Sequence, residues 1–279
     1  MILNFIHLMI LKIIRNFQGH HKMQSSKKEL TIKPFTLETH GLKSNALIFV
    51  PQNPSDKIAV FSHGYTSHKA SILNWNTALL EKNIPSIVFD LPGHFLGGYY
   101  PLPSFEDFSE YTHLLFSQAL EYYFSQYQAQ RENTQITIGG HSLGGLFALK
   151  ALNTLSNKYS NSQAIGVGLG LDLKEKHIYT TKLFSRTLEI RNGYVDPLIN
   201  TDRVFPWIKE QKKSLNLEGK NIHLICGKDD LIVGKDGLQN LASLLAPKNN
   251  ITYDEPEKLP HHLPELAAKL IARRIFSES

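Results

Sequence analysis

Short apolar runs alternate along the chain with longer stretches in which apolar residues recur every three or four positions. The runs predict buried strands and the stretches predict amphipathic helices. Six such runs lie at 58–61, 87–89, 136–138, 165–171, 221–227 and 251–253. Segments 36–41 and 46–50 predict an antiparallel opening pair around a glycine turn. Because alternating strands and helices favour parallel pairing, we expect an α/β fold with a mostly parallel eight-stranded sheet flanked by helices.

Two segments between the predicted strands are distinctive. Ser104 begins a capping-box pattern, and apolar residues repeat at three and four positions over 105–122, which predicts one long helix packed on the core. Residues 172–214 interrupt the alternation and are rich in Lys, Thr, Arg and Asn, with several aromatic residues. A connection of this length is usually functional. The alternative is an ordinary pair of surface helices.

One motif indicates a nucleophile. Gly-Gly-His-Ser-Leu-Gly-Gly at 139–145 follows an apolar strand and precedes a helical pattern. In a tight strand-to-helix turn, small residues on both sides of Ser142 allow a strained backbone that presents the hydroxyl. The N–H of Leu143 lies at the helix N-terminus, where it can stabilise an oxyanion. A glycine-rich structural turn is the alternative interpretation.

A serine nucleophile requires a base and an orienting carboxylate. Asp229 and Asp230 follow the predicted strand 221–227, and His261 and His262 follow the strand at 251–253. The order serine, acid, histidine is the order expected for such a turn. We favour His262 as the base because an apolar residue and the last helical pattern follow it, with His261 as the alternative.

In these motifs, the sequence resembles the α/β-hydrolase superfamily over roughly residues 32 to 276, and specifically its serine esterase and lipase-like branch. His-Gly at 63–64 is similar to the turn whose following residue gives the second oxyanion N–H, which implies this role for Tyr65. Asp-Leu-Pro-Gly-His at 90–94 and Gly-Lys-Asp-Asp-Leu-Ile-Val at 227–233 are also similar to family segments. The segment at 227–233 aligns Asp230 with the acid, and Asp172, directly after the predicted strand 165–171, is the alternative position used by some lipases.

The resemblance implies a serine hydrolase that cleaves a carboxylic ester, of a small molecule or lipid or a thioester, through a Ser142-His262-Asp230 triad and an acyl-enzyme. It also implies a small cap over the substrate pocket at 172–214, within a hydrolase domain at 29–279. One alternative is another enzyme on the same triad, an amide, peptide or carbon–carbon bond hydrolase or an acyltransferase, because fold does not decide among them. The other is a catalytically silent binding protein, which would be expected to lack a triad member, whereas all the candidates are present in this sequence.

The charge is concentrated in residues 1–28. This segment carries five basic residues and no acid, whereas the remainder has 25 of each, so the net charge of +5 does not indicate nucleic-acid binding. Apolar residues over 2–17 share one helical face. Residues 1–22 are therefore a candidate for peripheral membrane contact; a helix packed on the hydrolase body and a true start at Met23 are the alternatives.

The remaining signals are negative or structural. The single cysteine, Cys226, lies in an apolar strand and favours a reducing, cytoplasmic compartment. The histidines show no metal-ligand spacing, and no phosphate or dinucleotide fingerprint occurs, so we expect neither metal nor cofactor. We expect His63 and His94 to fix loops, and the side chain of His141 to point away from the serine because neighbouring positions alternate along a strand.

Overall fold

Eight strands form a sheet in the spatial order β1-β2-β4-β3-β5-β6-β7-β8 in a computed structural model that describes residues 30–127, 131–171 and 182–277. The β1–β2 and β2–β4 pairs are antiparallel, and the pairs from β4 to β8 are parallel. The strands are β1 (Leu30–Thr39), β2 (Leu42–Pro51), β3 (Lys57–Ser62), β4 (Ser86–Phe89), β5 (Gln135–His141), β6 (Ser162–Val167), β7 (Asn221–Ile225) and β8 (Asn250–Asp254).

Helices connect the strands and cover both faces of the sheet. They are α1 (Leu73–Leu80), α2 (Phe105–Tyr111), α3 (Leu114–Tyr127), α4 (Leu143–Leu155), α5 (Lys182–Asn192), α6 (Thr201–Lys213), α7 (Gly237–Leu245) and α8 (Ala268–Ser277). Short 3₁₀ turns lie at Lys69–Ile72, Phe95–Gly97, Arg131–Asn133, Pro197–Ile199 and Pro264–Ala267.

The core has one hydrophobic cluster on each face of the sheet. On one face, Trp75 of α1 is fully buried with its ring edge-on to Phe61, and its indole N–H donates to the Pro264 carbonyl at 2.8 Å. On the other face, Phe116 of α3 and Phe147 of α4 are fully buried. The central strands β3, β4, β5 and β6 are buried along almost their whole length because both of their faces are covered, as parallel sheets require.

The carboxyl ends of the central parallel strands meet at one edge of the sheet. β3, β5, β6 and β7 end at Ser62, His141, Val167 and Ile225. Segments that carry Tyr65, Ser142 and Asp230 follow three of these ends. Ligands of open α/β sheets bind at this edge, so the fold gathers the predicted site residues where such a site is expected.

The predicted sheet is confirmed, whereas the single long helix over 105–122 is wrong. Ser104 accepts a hydrogen bond from the Asp107 N–H at 2.9 Å and caps α2 as predicted, but α2 ends at Tyr111 and α3 begins at Leu114. The apolar repeat continues through the turn between them, because Phe108 of α2 and Leu115 of α3 are both buried in the same cluster. Periodicity therefore did not reveal the break.

The insertion between β6 and β7 contains α5, the turn Pro197–Ile199 and α6. We call residues 182–213 the cap segment. Several predictions lie outside the described residues: the anchor at 1–22, the segment 1–28, and Asp172 as alternative acid. Among the described residues, no helix is both long enough and apolar enough to cross a bilayer.

Candidate active site

Ser142 occupies a strained turn between β5 and α4. Its backbone φ is 48° and ψ is −110°, a conformation that side-chain-bearing residues rarely adopt. Two close backbone approaches make this turn possible. A methyl group on Gly140 would lie 2.4 Å from the Gly144 carbonyl carbon, and one on Gly144 would lie 2.5 Å from the carbonyl oxygens of Ser62 and His63. Glycine is therefore required two residues before and two residues after the serine.

The backbone at the turn is held on both sides. The Ser142 N–H donates to the Val167 carbonyl of β6 at 2.8 Å, and its own carbonyl accepts the Leu146 N–H of α4 at 3.0 Å. Leu143 is the first residue of α4, so its N–H has no intrahelical acceptor. A negative charge that develops next to Ser142 would therefore meet a free N–H and the positive end of a helix.

The carboxylate of Asp230 is paired with His261. His261 Nδ1 lies 2.8 Å from Asp230 Oδ2, and Asp230 is only 3% exposed. A carboxylate accepts, so Nδ1 carries the proton and Nε2 is left as the basic nitrogen. This pairing corrects the preference for His262, whose side chain is exposed in the same turn. The apolar residue and helix that follow His262 do not decide which of two adjacent turn residues faces the acid.

Asp230 is fixed by the loop that carries it. Its Oδ1 accepts the backbone N–H groups of Ile232 at 2.9 Å and Val233 at 3.0 Å, and Cys226 Sγ lies 3.7 Å from Oδ2. Burial, with the nearby Asp230 charge, raises the pKa of the Cys226 thiol, so this group stays protonated as a weak donor. The acid therefore presents one oxygen to backbone donors and the other to His261.

Asp229 has a different task from Asp230. Its side chain is exposed, and Oδ1 accepts the Leu259 N–H at 2.7 Å. This bond ties the loop after β7 to the segment that precedes His261. A methyl group on Gly227 would lie 2.3 Å from the Leu259 carbonyl oxygen, so the two loops also touch through their backbones. Asp230 therefore pairs with His261 itself, whereas Asp229 stabilises the loop that carries His261.

The loop after β3 carries Tyr65, and His63 holds the peptide unit that contains the Tyr65 N–H. The Gly64 carbonyl accepts His63 Nδ1–H at 2.8 Å and the Ser67 N–H at 3.2 Å. The Tyr65 N–H shares the planar peptide unit of that carbonyl, so a fixed carbonyl fixes the N–H. His63 Nε2 accepts the Leu91 N–H at 2.9 Å, which requires the neutral ring.

The environment of His63 and His94 confirms that they fix loops. Burial lowers the pKa of His63 well below its usual value, and that of His94 to about 4. His94 Nδ1 lies 3.1 Å from the Pro92 carbonyl, and its ring packs edge-on against His63. Asp90 Oδ1 lies 3.6 Å from His63 Nε2, but the neutral ring makes this a contact and not an ion pair.

His141 lies at the site, contrary to the expectation that it points away from the serine. Its ring centroid is 4.6 Å from that of His261. Methyl groups on Gly64 and Gly168 would lie 2.6 Å from its Nδ1 and 3.1 Å from its Nε2. The same position on Gly64 is 3.3 Å from Ser142 Cβ, so these groups form one contiguous cluster. Strand alternation fails here because Ser142 already belongs to the turn.

The structure thus gathers most of the predicted residues at one edge of the sheet. Ser142, Leu143 and Tyr65 lie around the ends of β3 and β5, and Asp230 with His261 approaches from the ends of β7 and β8. Sequence reasoning did not identify three features: the His141 ring in the site, the support from Asp229, and the contacts of the Tyr65 side chain. Each depends on contacts between segments distant in sequence.

Comparisons with known proteins agree with this architecture. A sequence model of the alpha/beta hydrolase family matches residues 59–247. No curated protein matches the sequence. Among solved structures, the Pyrococcus furiosus esterase Pf2001 has a TM-score of 0.60 at 17% identity, over 92% of this chain and 94% of that chain. The thioesterase domain from the curacin biosynthetic pathway has a TM-score of 0.59 at 15% identity, over 88% of this chain and all (100%) of that chain.

A third similar structure is the esterase domain of a Rhodothermus marinus protein, with a TM-score of 0.51 at 17% identity, over 88% of this chain and 97% of that chain. At these identities, the similarity establishes the fold. The family match extends from β3 to the helix before β8 and so includes both the serine turn and the acidic loop. Because that match covers more than half of the sequence, this chain belongs to the alpha/beta hydrolase family.

Proposed function

We propose that this protein is a serine hydrolase that cleaves a carboxylic ester through an acyl-enzyme. One observation carries the proposal: a strained serine at a helix N-terminus shares its edge of the sheet with a histidine that is oriented by a buried carboxylate. A strained conformation is costly and persists where the surrounding structure enforces it. Nucleophile, oriented base and oxyanion donors are the parts that acyl transfer requires.

The proposed reaction has two halves. Ser142 Oγ attacks the ester carbonyl while His261 Nε2 accepts its proton, and the oxyanion receives the N–H groups of Leu143 and Tyr65. His261 then gives the proton to the departing alcohol as the carbon–oxygen bond breaks. Water, deprotonated by His261, attacks the acyl-enzyme carbonyl, and His261 returns that proton to Ser142 Oγ as the acyl–oxygen bond breaks, which releases the acid and free Ser142. Asp230 holds the Nδ1–H tautomer and stabilises the imidazolium throughout.

The structural neighbours support an ester over an amide. Two of them are described as esterases and one as a thioesterase domain. A thioester is the second candidate substrate because of that domain, and the same steps would then release a thiol. At 15–17% identity, these neighbours support an ester or thioester without specifying the acyl group.

Active-site labelling tests the nucleophile. A fluorophosphonate probe should label the full-length protein and not Ser142→Ala, because the probe captures an activated serine through its phosphorus atom. Ser125→Ala is the matched control: its side chain is exposed on α3, away from the site, and labelling should be retained. Labelling of Ser142→Ala at the wild-type rate would refute the assignment.

Turnover tests the substrate class. p-Nitrophenyl esters of increasing acyl length should be hydrolysed with a dependence on chain length, and acyl-CoA thioesters and aminoacyl amides run beside them separate the classes. Ser142→Ala should lower kcat by several orders of magnitude, as loss of a triad member does. An amide hydrolysed faster than every ester and thioester would exclude the proposed class.

A further inference from the structure

The Tyr65 side chain bridges the oxyanion loop and the cap segment. Its hydroxyl donates to the Ile199 carbonyl at 2.9 Å, and it lies 3.5 Å from Asn192 Oδ1. Its ring lies edge-on to Phe205 of α6, with centroids 5.4 Å apart. Burial raises the pKa of the Tyr65 phenol, so the hydroxyl remains a donor at the pH of any ordinary assay.

Asn192 makes the contacted part of the cap segment a single unit. Its Nδ2 donates to Thr201 Oγ1 at 3.1 Å, and its Oδ1 accepts the Thr201 N–H at 2.9 Å. These two bonds join the end of α5 to the start of α6. Ile199, which lies between them, is completely buried. The Ile199 carbonyl, which accepts the Tyr65 hydroxyl, therefore lies in a turn whose two ends are hydrogen-bonded to each other.

The same turn is also bonded to the loop after β4. The Asp196 N–H donates to the Gly93 carbonyl at 2.8 Å, and the Phe95 N–H donates to the Tyr194 carbonyl at 2.9 Å. The loop after β4 in turn holds His63 through the Leu91 N–H. The cap segment thus reaches the peptide of Tyr65 by two routes, one through the Tyr65 phenol and one through His63.

From this connection we infer that Tyr65 is a positioning residue as well as an oxyanion donor: its side chain couples the placement of the cap segment to the aim of its own backbone N–H. The inference rests on the proposed function, because it assigns a consequence to the oxyanion role of that N–H. Its physical basis is that a shift of the Ile199 carbonyl moves the phenol and hence Tyr65, whose N–H is the proposed second oxyanion donor. A donor that moves out of line stabilises the transition state less than a fixed one.

The coupling predicts a particular kinetic pattern for Tyr65→Phe. This change keeps the ring and the N–H and removes only the hydroxyl bond to the cap segment. We expect kcat to fall about tenfold while KM changes less than about twofold, because the lost interaction acts in the transition state. Affinity for a boronic acid, which forms a tetrahedral adduct on the serine, should fall by about the same factor as kcat.

A double-mutant cycle tests the connection from the other side. Asn192→Ala removes the two bonds that close the turn, together with the 3.5 Å contact to the Tyr65 hydroxyl, and leaves the Tyr65 residue itself in place. It should give the same loss of kcat and of boronic-acid affinity. The double variant should lose no more than the larger single loss, because both changes break one connection. Tyr159→Phe is the matched control: it removes a phenol bond to Glu121 on α3, remote from the site, and should keep wild-type kinetics.

The outcomes separate the inference from the proposed function. A wild-type protein that neither hydrolyses esters nor reacts with the fluorophosphonate would overturn the proposed function itself. An active wild type overturns only the coupling if Tyr65→Phe keeps more than half of kcat, if it changes KM alone, or if the two single losses multiply in the double variant. Thermal unfolding of each variant checks that the compared proteins are folded, and the Asn192→Ala arm remains decisive if Tyr65→Phe is unstable.

Discussion

Replacing Asp230 by asparagine should reverse the tautomer of His261. Asp230 Oδ1 accepts two backbone N–H groups, those of Ile232 and Val233. In the variant, the carboxamide oxygen must take this position because an NH₂ group would face two donors. The NH₂ group then faces His261 Nδ1 across 2.8 Å, where a protonated nitrogen now stands. Nδ1 must become an acceptor, so the proton moves to Nε2 and the base is lost.

The expected size of the effect follows from this geometry. The exchange preserves the shape of the side chain and both backbone bonds, so the fold should remain intact. Loss of the correct tautomer in a triad lowers kcat by about 10³ to 10⁴, which corresponds to about 4 to 5.5 kcal/mol of transition-state stabilisation. Asp229→Asn is the matched control, since its carboxamide oxygen can still accept the Leu259 N–H, and it should lose less than about tenfold.

The assay is steady-state ester hydrolysis at pH 7 to 8, with thermal unfolding to confirm that each variant is folded. His261→Ala should match Asp230→Asn within about tenfold, because the residues act as a unit. His262→Ala should keep most of the activity, since its side chain is exposed. The reasoning fails if Asp230→Asn keeps more than a tenth of wild-type kcat, or if His262→Ala is the more damaging histidine change.

Three further predictions concern stability and the N-terminus. Lys57 is buried and donates to the Ile275 carbonyl at the end of α8 at 2.7 Å; Lys57→Met should lower the free energy of unfolding by about 1.5 to 3 kcal/mol, and an unchanged urea midpoint would contradict this. Burial lowers the pKa of His94 to about 4, so between about pH 4 and 6.5 the unfolded chain binds a proton at His94 that the folded chain excludes. The contribution of neutral His94 to the free energy of unfolding is complete above about pH 6.5. It declines by up to about 1.4 kcal/mol per pH unit as the pH falls through this range. Urea unfolding at pH 7, 6 and 5 gives the pH dependence of the free energy of unfolding, which should be smaller in His94→Gln by the equivalent of about one proton. An equal pH dependence in the two proteins would refute this prediction. Removal of residues 1–22 should preserve hydrolysis of a soluble short-chain ester and weaken salt-sensitive binding to anionic vesicles; equal binding by both proteins would reject the anchor.

The sequence was sufficient to predict those parts of the fold and the site that local chemistry determines. The strands were predictable because central parallel strands are buried on both faces, which favours apolar runs such as 58–61. The serine turn was predictable because Gly140 and Gly144 touch neighbouring backbone, and no other residue fits there. The break between α2 and α3 was not predictable, since Phe108 and Leu115 keep the same apolar face on both sides of it.

Contacts between distant segments account for what the sequence could not specify. The hydrogen bond from the Tyr65 hydroxyl to the Ile199 carbonyl joins residues 134 positions apart, and no local sequence pattern predicts it. The choice between His261 and His262 is similar, because both lie in one turn whose orientation is set from outside it. Asp229 holds Leu259 just before that turn, and this support directs His261 toward Asp230. The loop anchored by Asp229 therefore determines which histidine pairs with Asp230 more than the residues that flank the histidines do.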